Sequence, residues 1–152
     1  MDWMILPLKR YAEFSGRSRR KEYWMFVLGY LLVFAVLGGI FGLMGAFSSN
    51  MAEIEAGAMH VSLLLAMIVL GILGLGILIP SIAVQVRRLH DRNMSGWWLL
   101  GAYILSLVPV VGFIVSIALL VIFVLPGTPG PNRFGPDPKD PYGRVSDSDV
   151  FA

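Results

Sequence analysis

Arg87-Arg88-Leu89-His90-Asp91-Arg92-Asn93-Met94-Ser95-Gly96-Trp97-Trp98 is the stretch that decides the fold, because it is a charged turn between two long apolar runs. Residues 61–86 precede the turn and residues 97–125 follow it. Neither run contains Asp, Glu, Lys, Arg or His. Apolar runs of this length are typical of membrane-embedded helices, so we expect the turn to lie at a membrane surface.

The composition indicates an integral membrane protein. Of the 152 residues, 57% are hydrophobic and 14% are charged, whereas soluble domains contain about 25% charged residues. The apolar runs are continuous and do not alternate with period 2, which excludes a transmembrane barrel and predicts helices. The chain has no Cys, and its two His are far apart, so we expect no disulfide, no metal site and no cofactor. The net charge of only +2 does not predict nucleic-acid binding.

We therefore predict an all-α integral membrane protein, a small helical bundle with two full spans. Residues 23–47 and 61–86 are each uncharged and exceed the 20 or so helical residues that cross a bilayer. The small pair Gly38 and Gly42 would allow a close helix contact, either within the chain or between copies. We expect a homo-oligomer.

The third apolar segment is broken by Pro109 into residues 97–108 and 110–125. It is either one long kinked span or a helical hairpin that returns the chain to the side from which it came, and we favour the hairpin. The transmembrane helical domain then covers residues 23–125. The Pro/Gly-rich polar tail, residues 126–152, cannot continue a helix.

The basic residues predict the orientation. Residues 1–22 contain six Lys or Arg, the first loop at residues 48–60 contains none, and the turn at 87–96 contains three. Because basic residues accumulate on the cytoplasmic side, we expect the N-terminus and the turn to be cytoplasmic in a multi-pass protein. Residues 1–22 form a basic segment, either a short helix lying in the membrane interface or a flexible lead-in.

Three motifs follow one another along the chain. They are Phe14-Ser15-Gly16-Arg17-Ser18-Arg19-Arg20-Lys21-Glu22-Tyr23-Trp24; Arg87-Arg88-Leu89-His90-Asp91 with Ser95-Gly96-Trp97-Trp98; and Pro126-Gly127-Thr128-Pro129-Gly130 with Asn132-Arg133-Phe134-Gly135-Pro136-Asp137-Pro138. In this order they resemble the bacterial family filed as domain of unknown function 805, the YhaH-type small inner membrane proteins. The resemblance implies a location in the bacterial inner (plasma) membrane, but the family has no assigned activity and supplies no catalytic residue.

The polar residues of these motifs are the candidate site. Basic residues alone serve as topology signals and headgroup anchors, but Asp91 reduces the positive charge that directs topology. We therefore expect Asp91 to orient Arg or His donors toward an anionic group. A helix continuing through the turn would place Asp91 one turn from Arg87, and the hairpin would bring Asp137 near Arg87, Arg88 or an N-terminal arginine. The lipid- or partner-binding candidates are Arg17, Arg19, Arg20, Arg87, Arg88, His90, Asp91, Arg92, Asn132, Arg133 and Asp137; Trp24, Trp97 and Trp98 are expected interfacial anchors.

The best functional hypothesis is a non-enzymatic basic cytoplasmic platform for membrane lipids with anionic headgroups or for a cytoplasmic protein partner. A coupled transporter is disfavoured because the apolar segments carry no ionisable residue. Ser95 is better explained as a helix N-cap than as a nucleophile. Two alternatives stay open. One is a lipid-modifying enzyme using His90 with Asp91, Asp137 or Asn132; the other is a homo-oligomeric passive channel lined by Ser62, Ser81, Gln85, Ser106 and Ser116 with glycines.

Overall fold

The computed structural model describes residues 2–51 and 56–140, with side chains described outside residues 47–62. Those residues form helices and no strand, which confirms the predicted all-α class. The helices are α1 (Asp2–Lys9), α2 (Arg20–Met51), α3 (Ala56–Asp91), α4 (Trp97–Leu105) and α5 (Pro109–Val124).

The long helices α2 and α3 pack against each other and contain the two predicted spans. The stretches Arg20–Ala46 and Leu63–Asp91 are long and apolar enough to cross a membrane by length and composition. Few of their side chains are buried within the chain, as expected for helices that contact lipid. Helix α3 continues past residue 86 into the charged turn and ends at Asp91, so the Arg87 to Asp91 motif lies on its last turns.

The third apolar segment is a hairpin and not one long span. Helix α4 has nine residues and α5 has sixteen, which correspond to lengths of about 14 and 24 Å. Each is shorter than a hydrocarbon core of about 30 Å. Pro109 opens α5, where its missing N–H costs no hydrogen bond. Helix α5 returns to the end of α3, where Arg88 donates hydrogen bonds to the carbonyl groups of Phe123 and Leu125.

The buried core lies at the charged end of the bundle. Leu89, Leu99 and Phe123 form its apolar cluster, with Tyr23 packed against it. The N-terminal segment contains α1, which packs mainly on α2. The expected helix is present, and its position in the membrane interface stays a prediction. The N-cap expectation for Ser95 was wrong. Gly96 caps α4, and the Ser95 hydroxyl accepts only a long 3.4 Å hydrogen bond from the backbone N–H of Trp97.

Candidate functional site

Asp91 is the centre of a buried ion-pair cluster at the end of α3. Its Oδ1 accepts a hydrogen bond from Arg17 Nε at 3.0 Å and lies 2.9 Å from Arg17 Nη2. Its Oδ2 accepts from Arg88 Nη1, one helical turn away. Arg88 is fully buried, and Arg17 and Asp91 are 6% and 3% exposed. Each carboxylate oxygen therefore binds one guanidinium group in a charge-assisted hydrogen bond.

Arg87 belongs to a second buried ion pair. Its Nη2 donates to Glu22 Oε1 at 3.0 Å, and both side chains are buried. The placement of Asp91 one turn from Arg87 therefore produces no ion pair: Asp91 takes Arg88 instead. Within the described part of the chain, Arg87 Nε and Nη1 have no hydrogen-bond partner. The carboxylate of Glu13 lies 4.0 Å from Nη1.

The tail docks on this cluster, so all three motifs meet. Arg17 donates to the carbonyl groups of Gly130 and Thr128, each at 2.6 Å. The backbone N–H of Thr128 donates to the Asp91 carbonyl at 2.8 Å. A Cβ atom at position 127 would lie only 1.9 Å from Asp91 Oδ2. Gly127 is thus required for the tail backbone to approach the carboxylate.

Arginines also cap the C-terminus of α5. The last carbonyl groups of a helix lack intrahelical donors and carry partial negative charge, so cations stabilise them. Four consecutive carbonyl groups receive guanidinium donors here: Phe123 and Leu125 from Arg88, Val124 from Arg20, and Pro126 from Arg92.

His90 faces away from Asp91 and holds a different part of the tail. Its ring stacks on Phe134 with centroids 3.9 Å apart and an interplanar angle of 4°. Its Nδ1 lies 3.1 Å from the carbonyl oxygen of Gly16, which can only accept, so Nδ1 carries the proton. The His90 carbonyl accepts from Asn132 Nδ2 at 2.9 Å. Arg133 donates to the carbonyl oxygen of Asn93 at 3.1 Å and lies over the Phe134 ring.

Asp137 binds backbone N–H groups and lies near the N-terminal Arg17, to which Gly130 links it, as expected for the hairpin. No arginine among the described residues forms an ion pair with it. Its two carboxylate oxygens accept from Gly130 at 3.1 Å and Lys139 at 2.9 Å. Desolvation raises the pKa of Asp137, but the hydrogen bonds from Lys139 and Gly130 outweigh it and lower that pKa from its ordinary value. Arg19 donates to the neighbouring carbonyl of Pro138.

Five described Lys and Arg side chains are exposed, in contrast to the buried cluster. We call Lys9, Arg20, Lys21, Arg133 and Lys139 the basic rim, because each has an exposed side chain. Among acidic side chains that the structure describes, only Asp2 and Glu13 are exposed. The three expected anchors are exposed too, Trp24 by 36%, Trp97 by 77% and Trp98 by 65%.

The sequence reasoning missed Glu22, Thr128 and Gly127. Glu22 carried the same signal as Asp91, since it is a lone acid in a run of basic residues. Thr128 and Gly127 gave no comparable signal, because their roles depend on backbone atoms brought close by the fold. Binding of lipid or a partner by the candidate residues stays a prediction.

Comparison with known proteins identifies the family. A family model described as "Protein of unknown function (DUF805)" matches residues 11–136. The chain belongs to the DUF805 family. Two relatives from Escherichia coli strain K12 are similar over 139 residues that cover 91% of this chain. Inner membrane protein YhaH is 41% identical with 98% of its length covered, and inner membrane protein YhaI is 40% identical with 97% covered. No solved structure matches.

The DUF805 match spans most of the motifs that form the cluster, from the N-terminal arginines to the docked tail. The protein is a member of a family of unknown function whose relatives here are named inner membrane proteins. The predicted resemblance and the predicted membrane class are thus confirmed.

Proposed function

We propose that this protein is a non-enzymatic membrane protein whose basic rim binds the anionic phospholipids of the cytoplasmic leaflet. The observation that carries the proposal is the division of its cations. Arg17, Arg87 and Arg88 are buried and paired inside the chain, whereas the rim cations are exposed.

This division into buried and exposed cations changes which residues we expect to bind lipid. Burial removes Arg17, Arg87, Arg88 and Asp91 from contact with a headgroup, and they build the platform instead. An exposed Lys or Arg near an anionic leaflet contributes about 1 kcal/mol of attraction. Because 1.4 kcal/mol corresponds to a tenfold change in affinity, even one rim residue gives roughly a fivefold preference for anionic over neutral lipid.

The exposed tryptophans support a position at the membrane surface. Trp97 and Trp98 open α4 directly after the charged turn, and Trp24 lies near the start of α2. Indole rings favour the headgroup region of a bilayer. The platform would then lie level with the phosphates, where the rim reaches them.

The other two hypotheses have less support. The hydroxyl groups of Ser106 and Ser116 donate to carbonyl groups within their own helices, and Gln85 accepts from Tyr103, so these polar groups are already used within one chain. An enzyme using His90 and Asp91 together is disfavoured because the Asp91 carboxylate is committed to Arg17 and Arg88.

Spin-labelled lipids test the proposal in a bilayer. The purified protein is reconstituted in phosphatidylcholine, and electron paramagnetic resonance measures the fraction of labelled phosphatidylglycerol or phosphatidylcholine held at the protein surface. We expect at least a threefold preference for phosphatidylglycerol that falls with added salt. The triple variant Lys9→Gln, Lys21→Gln, Lys139→Gln, which keeps only Arg20 and Arg133 of the rim, should reduce this preference, and the matched Lys→Arg triple variant should keep it. Equal preference in the Gln and Arg variants would refute the proposal.

A further inference from the structure

A cavity of about 550 Å³ lies between α3 and α4 at the edge of the buried cluster. Ligand pockets in proteins commonly measure about 300–1,000 Å³. Its apolar walls include Ile82 and Val86 of α3, Leu100 and Tyr103 of α4, and Phe14 of the N-terminal segment. The cavity is therefore lined by residues of the first two sequence motifs, but by none of their ion-paired side chains.

The cavity runs along the helices from an apolar end to a polar end. Ile82, Val86 and His90 are spaced by four residues, so they share one face of α3, and eight residues of helix measure about 12 Å. On α4, Trp97, Leu100 and Tyr103 form the facing wall and are all exposed. A slot with this direction and this apolar lining matches a hydrocarbon chain lying parallel to the helices.

Polar groups converge at the His90 end, whereas the Tyr103 hydroxyl is already bound to Gln85. Ser95 and His90 both line the cavity there. His90 Nδ1 is bound to Gly16, and no hydrogen bond to Nε2 is found in the described part of the chain. Nε2 lies near Gly96, since a Cβ at that position would be 3.6 Å from it. The neutral ring thus offers one acceptor to a ligand, and the Ser95 hydroxyl offers a donor.

A positive charge lies beside the polar end. Arg133 is held by the Asn93 carbonyl, two residues before Ser95, and lies over Phe134, which stacks on His90. A phosphate at this end would be attracted by the exposed guanidinium group. A second cavity of about 310 Å³, between α4 and α5, is lined by aliphatic side chains, Met94, Trp98 and Gly101, so it offers no comparable headgroup position.

We propose that the α3–α4 cavity binds one acyl chain of an anionic phospholipid whose phosphate lies at Arg133 and whose headgroup hydroxyl donates to His90 Nε2. The proposal deepens the function proposed above and rests on it only for the choice of an anionic headgroup. It differs in stoichiometry, because the cavity holds one lipid whereas the basic rim attracts many.

Native mass spectrometry of the delipidated protein in detergent tests the cavity, with dioleoyl phosphatidylglycerol and dioleoyl phosphatidylcholine as probes. We expect one tight phosphatidylglycerol per chain. Leu100→Trp fills the cavity and should weaken binding at least tenfold, whereas Leu107→Trp adds the same ring to an 81% exposed position in the hairpin turn and should not. Ile82→Phe fills the cavity from α3 and serves if Leu100→Trp does not fold.

The headgroup contacts and the rim are separated by two further variants. His90→Gln and Arg133→Gln should each reduce the preference for phosphatidylglycerol over phosphatidylcholine at least threefold while the acyl chain still binds. The Lys→Gln triple variant of the rim should keep the single tight lipid. Loss of the tight lipid in that triple variant, or its retention in both cavity-filling variants, would overturn the cavity proposal. Loss of surface selectivity alone would concern only the rim.

Discussion

Asp91→Asn is the sharpest test of the buried cluster, because it removes one charge and keeps the side-chain shape. The wild-type carboxylate accepts hydrogen bonds from two buried guanidinium groups, those of Arg17 and Arg88. An amide can accept at one atom only, and its NH₂ group would face a guanidinium donor. The variant therefore leaves two buried positive charges without a counter-ion.

The expected cost follows from that burial. Removing one partner of a buried ion pair typically destabilises a protein by about 3–5 kcal/mol. For a chain of this size, a loss of 3 kcal/mol corresponds to a fall of about 6–12 °C in Tm. We expect Asp91→Asn to lower the Tm in detergent by at least about 6 °C. We also expect the tail to undock, because Arg17 holds the Thr128 and Gly130 carbonyl groups as well as Asp91.

Thermal unfolding followed by circular dichroism gives the measurement, and Glu13→Gln is the matched control. Glu13 pairs with Arg10 and lies 4.0 Å from Arg87 Nη1. Its side chain is 44% exposed, so solvent screens both interactions and the same chemical change there should cost under about 1 kcal/mol. The double variant Arg17→Gln, Asp91→Asn should be less destabilised than the sum of its single variants, because the two residues interact directly. Equal Tm values for Asp91→Asn and Glu13→Gln would refute the reasoning.

Three further predictions follow from the tail and the hairpin. Gly127→Ala should lower the Tm by several degrees, because its Cβ would collide with Asp91 Oδ2, whereas Gly101→Ala, with no atom within 4 Å of its Cβ, should leave the Tm unchanged. The contribution of Asp137 to tail docking should be constant above the ordinary Asp pKa of 3.8 and weaken as pH falls through the lowered pKa of Asp137; a fluorescent label on Lys139→Cys would report it, and Asp137→Asn should remove this acid step. In intact spheroplasts Lys9→Cys and Lys139→Cys should both resist an impermeant thiol reagent until the membrane is opened, and labelling of Lys139→Cys alone from outside would contradict the hairpin topology. Glu53→Cys, in the loop predicted to face outward, is the positive control.

Hydropathy was sufficient to predict the helical class and the two long helices. Both are properties of continuous apolar runs, which a sequence displays directly. Pro109 marked the break in the third segment, but hydropathy did not show whether the chain continues across the membrane or turns back after it. The structure shows that the chain turns back, because hydrogen bonds from Arg88 to the carbonyl groups of Phe123 and Leu125 hold the end of α5 against the end of α3. Contacts between residues that distant in sequence have no one-dimensional signature.

The partners inside the cluster were harder to predict than its members. The sequence singled out Arg17, Arg88 and Asp91, yet it could not distinguish Arg87 from Arg88 as the partner of Asp91, because positions three and four residues away are both neighbours on a helix. Helix packing decides between them. Arg87 faces α2 and takes Glu22, whereas Arg88 faces α5 and reaches its carbonyl groups.

The buried arginines supply hydrogen-bond donors to carbonyl groups that the hairpin leaves unpaired at the end of α5. Helix α5 ends where the chain turns into irregular backbone, and carbonyl groups at such an end must be satisfied by protein wherever water is excluded. Arg88 fits this role because its rigid guanidinium group serves Asp91 and two carbonyl groups at once and stays charged when buried. A lysine has the charge but not the planar fork, so Arg88→Lys should leave carbonyl groups unpaired and lower the Tm. The ion pairs and hydrogen bonds that stabilise the hairpin thus account for the buried residues of all three motifs. The basic rim and the His90 end of the α3–α4 cavity take no part in these interactions, and we propose that they carry the function.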